Sequence, residues 1–122
     1  MRLLAEEAGP VRSSAEVKFD PDATLTEAGS LDYLFFLSMP QSNFVHPKRS
    51  NAQVRWMDRS GVVLGGFSGG VFPLVRAGVM GGHVCSVHWC YDAAFKAEFP
   101  EISASQSVII RDRRRHTASG AG

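Results

Sequence analysis

Apolar positions along the 122 residues come in short blocks separated by glycine, proline and small polar residues, and the spacing inside each block differs from the next. In "LDYLFFL" (31–37) the apolar run is continuous and bounded by turn formers, the mark of a strand buried on both faces, which favours a parallel sheet. In "NAQVRWMDRS" (51–60) Val54 and Met57 stand three apart and Ala52 and Trp56 four apart, predicting a short amphipathic helix stopped at Gly61. "VVLGG" (62–66) reads as a second strand. "GGVFPLVRAGV" (69–79) reads as a helix with Phe72, Val75 and Val79 on one stripe and Pro73 near its start, where a missing N–H costs little. "HVCSVHW" (83–89) alternates as a short strand, and "YDAAFKAEFP" (91–100) sets Ala94, Phe95 and Phe99 at helical spacing before Pro100. "SVIIRDRRRHTAS" (107–119) reads as a hairpin turning at Asp112-Arg113, with "VII" as its buried arm. Upstream, residues 2–7 read as the end of a strand, Gly9-Pro10 as a turn, and "DPDATLTEAGS" (20–30) as connection with one helical turn. Strands alternating with helices predict an α/β fold: a mostly parallel sheet sandwiched by helices, with a C-terminal β-hairpin.

Length and composition narrow this picture. A chain of 122 residues is the size of one domain, so residues 1–122 are read as a single unit. With 44% hydrophobic and 20% charged residues it is globular in class, neither disordered nor fibrous. A formal net charge of +1 gives no overall field for nucleic acid or an anionic membrane. The longest apolar run, Tyr33 to Leu37, is far below the roughly 18 to 20 residues of a membrane span, and the N-terminus has no apolar signal segment, so a cytoplasmic protein without a membrane partner is expected. The one basic cluster, "RDRRRH" (111–116), reads as an ordinary solvated hairpin tip. Cys85 and Cys90 are too few for a disulfide framework and are expected to be free thiols, with Cys90 buried as a small apolar group. If a cation or helix N-terminus lowered its pKa, Cys90 would instead be a reactive thiol.

The candidate chemistry centres on Gly66-Phe67-Ser68-Gly69-Gly70, which satisfies G-x-S-x-G, the pattern of a sharp strand-to-helix turn that presents a nucleophile. A nucleophile needs an exposed Oγ, a base in hydrogen-bond reach and donors for the developing oxyanion. The glycines permit the tight turn and the following helix would aim amide N–H groups at its mouth, but such a turn needs small residues whether or not chemistry follows. His88, at the end of a predicted strand, is either a base or ligand-orienting group or a hydrogen-bonded histidine beside Trp89. His46, His83 and His116 stand in loop or turn contexts and no pair has metal-ligand spacing, so no metal or other cofactor is expected.

From Gly61 onward, "GVVLGGFSGGVFPLVRAGVMGGHVCSVHW" resembles the G-x-x-L-G-G-x-(C/S)-x-G-x-F-x-L-A-x-A-G-L-L-x-G-x-x-x-T-x-H-W segment of PfpI-type, class I glutamine amidotransferase-like domains. Its Ala-Gly-Val-Met and His-Trp elements are similar to the version at the front of AraC/XylS-type transcription regulators. The preceding "GPVRSSAEVKFDPDATLTEAGSLDYLFF" and the following "FKAEFPEISASQSVIIRDRRRHTASGAG" resemble the flanking blocks of the same group, so the match spans nearly the whole chain. The resemblance implies a flavodoxin-like fold and a ligand-sensing, dimerising module. In enzymatic relatives the elbow residue is a cysteine, often followed by histidine and supported by an acid from the first strand. Here Ser68 and Gly69 take the first two places, Met1 falls about where the family's second strand ends, "SMPQSNF" (38–44) replaces the usual paired glycines, and Cys90 replaces the acid common after His-Trp. The implied reading is therefore a piece of the sensing domain, truncated at both ends and lacking the regulators' helix-turn-helix part, through which alone DNA would be bound. One sheet face would then be partly bare, inviting a homodimer. Its small-molecule effector, polar or anionic, would bind without catalysis at Ser68 and the Gly69 and Gly70 N–H groups, with His88 and Trp89 as a wall. Trp89 would also suit a quaternary ammonium. The alternative is a hydrolase or glyoxalase-type enzyme using Ser68 with His88 as base.

Overall fold

A four-stranded sheet carries the molecule, in a computed structural model that describes residues 1–12 and 18–120. Ser13, Ser14, Ala121 and Gly122, all within the stretches that carry the resemblance, lie outside the described residues. In chain order the elements begin with four short strands, β1 (Leu4–Ala5), β2 (Val11–Arg12), β3 (Lys18–Phe19) and β4 (Ala23–Thr24). β5 (Tyr33–Ser38), α1 (Pro47–Arg59), β6 (Val63–Ser68) and α2 (Val71–Arg76) follow. Then come β7 (Val84–Ser86), a 3-10 turn at Trp89–Tyr91, α3 (Asp92–Glu98), β8 (Ser103–Ser105), β9 (Ile109–Asp112) and β10 (Arg115–Ala118). β5, β6 and β10 run parallel, and β9 joins antiparallel as the hairpin partner of β10. β1 with β4 and β7 with β8 form separate parallel pairs, and β2 pairs antiparallel with β3. The α/β class, the mostly parallel sheet and the C-terminal hairpin are as predicted.

One core sits between the helices and one face of the sheet. Leu34 of β5 and Leu64 of β6 meet Val54 and Met57 of α1, Phe72 and Leu74 of α2, and Phe95 of α3, all buried. Phe72 anchors an aromatic cluster, edge-on to Phe95 at 5.4 Å and tilted against Phe99 at 5.8 Å. Each such side chain withdrawn from water contributes roughly 1.5–3 kcal/mol before conformational entropy is charged against it.

Several expectations need correction. The run at 33–37 is buried on one face only: Leu34 is 8% exposed, but Tyr33, Phe35 and Leu37 are 56%, 39% and 71% exposed, because the described helices cover only the other side of the sheet. The "VII" arm is likewise not buried, since Val108 and Ile109 stand 52% and 65% exposed beside that open face. The hairpin turns at Arg113-Arg114, one residue later than expected, with Arg113 at φ +56°. α1 begins at Pro47, not Asn51, and buries Ser50, Val54 and Met57, leaving Ala52 and Trp56 outside. Its start has a distant cause: the Glu6 carboxylate accepts from the N–H groups of Val45 (2.6 Å) and His46 (2.8 Å) and from Ser50 Oγ (2.7 Å), capping a helix whose own N-cap side chain does not. Ala94 of α3 is exposed, whereas Phe95 and Phe99 are buried as their spacing predicts. The predicted strand at 83–89 shortens to β7, the predicted helix at 69–79 shortens to α2, and β8 escaped the sequence pattern. No helix among the described residues is long and apolar enough to cross a membrane.

Candidate functional site

β6 ends at Ser68, whose φ of +54° lies in the left-handed region that a serine occupies at a cost of roughly 1 kcal/mol. The Gly70 N–H donates to Phe67 O (2.9 Å), closing a tight turn at the corner, and the Phe72 N–H donates to Gly69 O (3.1 Å) as α2 starts. The glycines here are matters of room. A Cβ on Gly69 would lie 2.5 Å from Ser38 O and 2.6 Å from Pro40 N, and one on Gly70 would run into the Phe36 carbonyl. The elbow is therefore pressed against the end of β5, and its conformation is imposed by that packing.

Two features expected from the sequence change at this point. The Gly70 N–H is spent on Phe67 O, so it is no ligand donor in this conformation, and α2, at six residues, is too short to present the ring of free amides expected of a full helix N-terminus. Ser68 and Gly69 remain as elbow groups. The sequence reading missed Ser38, the register partner of Ser68 on β5, whose Oγ is buried without a hydrogen-bond partner among the described residues. The available signal was the pairing of two adjacent parallel strands that both end in serine. An orphaned buried hydroxyl costs about 1–3 kcal/mol and calls for an explanation. Gly120, just past β10, closes the site from the other side: a Cβ there would sit 3.6 Å from Ser68 Cβ.

His88 and Trp89 reach the same end of the sheet. The Val84 N–H donates to Asp112, which is paired with Arg115 at the start of β10, while the Ser86 N–H donates to Thr117 Oγ1 near its end (both 2.8 Å). β7 thus climbs alongside β10, and His88 emerges at the carboxyl end where Ser68 lies. Its ring is engaged by its own neighbours. Nδ1 accepts from the Cys90 N–H (3.2 Å) and stands 2.9 Å from Cys90 Sγ, while the ring packs on Trp89 and Tyr91 at 5.5 and 6.1 Å. Tyr91 in turn meets Phe72 edge-on at 6.3 Å, linking this corner to α2. Among the described residues no hydrogen bond joins Ser68 to His88. Trp89 is 68% exposed and offers its ring to solvent. Cys90 is exposed, contrary to the expected burial, because the 3-10 turn carries it outward; the other free thiol, Cys85, is buried and its pKa is pushed up to about 12 by burial, with Asp112 adding to the shift.

The wall after β5 is held by Arg76 of α2. Its guanidinium donates to both oxygens of Glu98 (2.7 and 2.9 Å), to Pro40 O (2.7 Å) and to Ser42 O (3.0 Å), fixing the 39–43 segment against α2 and α3. Those bonds hold the Glu98 carboxyl below its ordinary range despite partial burial. The basic cluster at 111–116 is not simply a solvated tip either. Arg115 is buried and donates to Asp58 Oδ1 (2.6 Å) and Val79 O (2.7 Å), and His116 lies on β10 on the open face of the sheet. Among the described residues no three His, Cys, Asp or Glu side chains are grouped to hold a metal ion.

This geometry meets its counterparts in known proteins. The chain matches no family model. It is 31% identical to the HTH-type transcriptional regulator CdhR of Pseudomonas aeruginosa over 97% of its own length, and it spans 35% of that relative. Among solved structures, an AraC family transcriptional regulator from Pseudomonas putida superposes with a TM-score of 0.76 at 21% identity, covering 96% of this chain and 63% of the other. A THiJ/PfpI family protein from Pseudomonas syringae does so with a TM-score of 0.75 at 25% identity, covering 98% of this chain and 50% of the other. Fold and elbow together define an α/β domain of the ThiJ/PfpI type. More narrowly, over nearly its whole length the chain is similar to an HTH-type transcriptional regulator, of which it spans about a third.

Proposed function

We propose that this domain is the effector-sensing part of an AraC-type regulator and binds a small polar or anionic metabolite at the Ser68 elbow without breaking a bond in it. The observation that carries this reading is the combination at one corner of a serine held at φ +54° and a neighbouring buried Ser38 hydroxyl with no partner among the described residues, while Nδ1 of the His88 imidazole is committed to Cys90. Strain and unspent hydrogen-bonding capacity at one place suit a ligand that supplies the missing partner. A nucleophile would instead need a base within reach, and among the described residues none is hydrogen-bonded to Ser68. Ser68 and Ser38 would hydrogen-bond the ligand, Gly69 would let it approach the backbone, and Trp89, with His88, would flank it. DNA would be read by a helix-turn-helix part of the regulator, outside residues 1–122.

The test is a thermal-shift screen of small carboxylates, amino acids and quaternary ammonium compounds, with isothermal titration of any hit. Ser68→Ala should weaken binding roughly tenfold, the loss of one hydrogen bond to a polar ligand, with no turnover in either protein. Turnover of an ester or amide by the unaltered chain, abolished by Ser68→Ala, would replace sensing with hydrolysis.

A further inference from the structure

A cavity of about 300 Å³ opens on the outer side of α1, lined by Thr26, Gly29, Gln53 and Trp56. α1 runs back from the carboxyl end of β5 to the amino end of β6, and Gly29 precedes β5, so the cavity sits at the end of the sheet opposite Ser68. Its volume is at the lower end for small-molecule sites. Gly29 (φ +72°) brings no side chain, and a Cβ there would meet nothing within 4 Å, so the mouth stays open. Trp56 leaves 49% of its surface bare beside it. Thr24 Oγ1 gives its proton to Glu27 Oε1 (2.6 Å) and faces the Thr26 hydroxyl at 3.4 Å, so that hydroxyl is held only weakly. Arg49, Gln53 and Trp56 follow one another four and then three residues apart, which sets them on one stripe of α1, turned away from the buried Ser50, Val54 and Met57. Arg49 is exposed and stands one turn from Gln53, roughly 6 Å along the axis. The helix carries a single acid, Asp58, which is engaged by Arg114 and Arg115, so the stripe keeps its positive charge.

We propose that this cavity binds a free adenine nucleotide. The argument is one of matching groups. An exposed indole takes a base by stacking, since every base has a π-face. The Gln53 amide has one donor and one acceptor to set against the N6 and N7 edge of adenine, a pairing whose geometry is bidentate. The Thr26 hydroxyl, on the facing segment, meets the ribose. Arg49, one turn along the helix, takes the phosphate through paired N–H donors. A neutral sugar would leave Arg49 idle and a bare anion would leave Trp56 idle; a nucleotide engages all four. This inference goes beyond the effector reading and does not depend on it.

The test is isothermal titration of the 122-residue chain with adenosine monophosphate, adenosine and inorganic phosphate in parallel. The nucleotide should fill one site with a Kd on the order of 100 μM. Adenosine should bind roughly tenfold more weakly for want of the phosphate, and inorganic phosphate should not saturate in the same range. Arg49→Gln, at an exposed position that folding does not need, should weaken the nucleotide roughly tenfold and leave adenosine unchanged. Trp56→Leu should weaken both by about fivefold or more, with unchanged circular dichroism. In a Trp89→Phe chain the nucleotide should quench the remaining Trp56 fluorescence to saturation. Absence of heat and of quenching up to roughly 5 mM nucleotide would overturn the proposal, as would nucleotide binding that survives Arg49→Gln unimpaired and is lost with Ser68→Ala, which would put the ligand at the elbow. A single-stranded oligodeoxyadenylate bound roughly a hundredfold more tightly than the mononucleotide would also overturn it, making this side of α1 a nucleic-acid surface.

Discussion

The two ends of the parallel strands are built on opposite terms. At the end where β10 begins, Arg115 is 4% exposed and each of its contacts has a partner: Asp58 takes one nitrogen, Val79 O another, and Arg114 O a third. At the end where β6 finishes, Ser68 sits in a backbone conformation it does not favour, Ser38 Oγ has no partner among the described residues, and the corner exists only because Gly69 and Gly70 leave room for the β5 carbonyls. One end is satisfied and holds the sheet to α1. The other stores a small amount of unfavourable energy, as natural folds tend to do where they depart from local rules.

Removing Asp58 should have the largest effect. Asp58→Ala strands a buried guanidinium, and a loss of about 3 kcal/mol in folding stability is expected, read from the denaturant midpoint; Asp58→Asn should recover part of it. At the opposite end, Gly70→Ala drives a methyl into the Phe36 carbonyl and should cost about 2 kcal/mol, as the strand ends move apart. Ser68→Gly should act with the opposite sign on folding: it relieves the left-handed backbone and raises stability by about 1 kcal/mol, while effector binding falls. A serine that stabilises nothing and whose removal leaves binding untouched would erase the contrast between the ends.

The smallest effect concerns Arg76. Because the folded-state pKa of Glu98 lies below its ordinary 4.5, the stability this pair supplies is present above that value and lost as pH falls through the lower, folded one. The carboxylate is 41% exposed, so screening keeps the contribution under about 1 kcal/mol. Arg76→Ala should therefore narrow the stability gap to the unaltered protein as pH drops from 7 toward 3, and should raise hydrogen exchange in residues 39–43.

How much of this was readable in advance follows from the range of each interaction. The strand, elbow, helix sequence from Val62 to Arg76 was legible because its apolar spacing and glycines are local, and so were the free thiols. The start of α1 was not, since Glu6 caps it from about 40 residues away. The orphaned Ser38 required the register of two strands, and the fate of Arg115 required knowing that Asp58 faces it across 57 positions. The open face could not be read from "DYLFFL" alone: an unbroken apolar run states that neither face prefers water, but not whether anything in the folded chain is there to cover both.

The unequal fate of the two sulfurs has a practical side. Cys85, fully buried with its thiol pKa near 12, should resist maleimide at neutral pH, whereas Cys90 stands in solvent two residues from His88. A dye coupled to the unaltered chain would therefore land on a single position beside His88, giving a fluorescence test of the proposed effector site without engineering a cysteine.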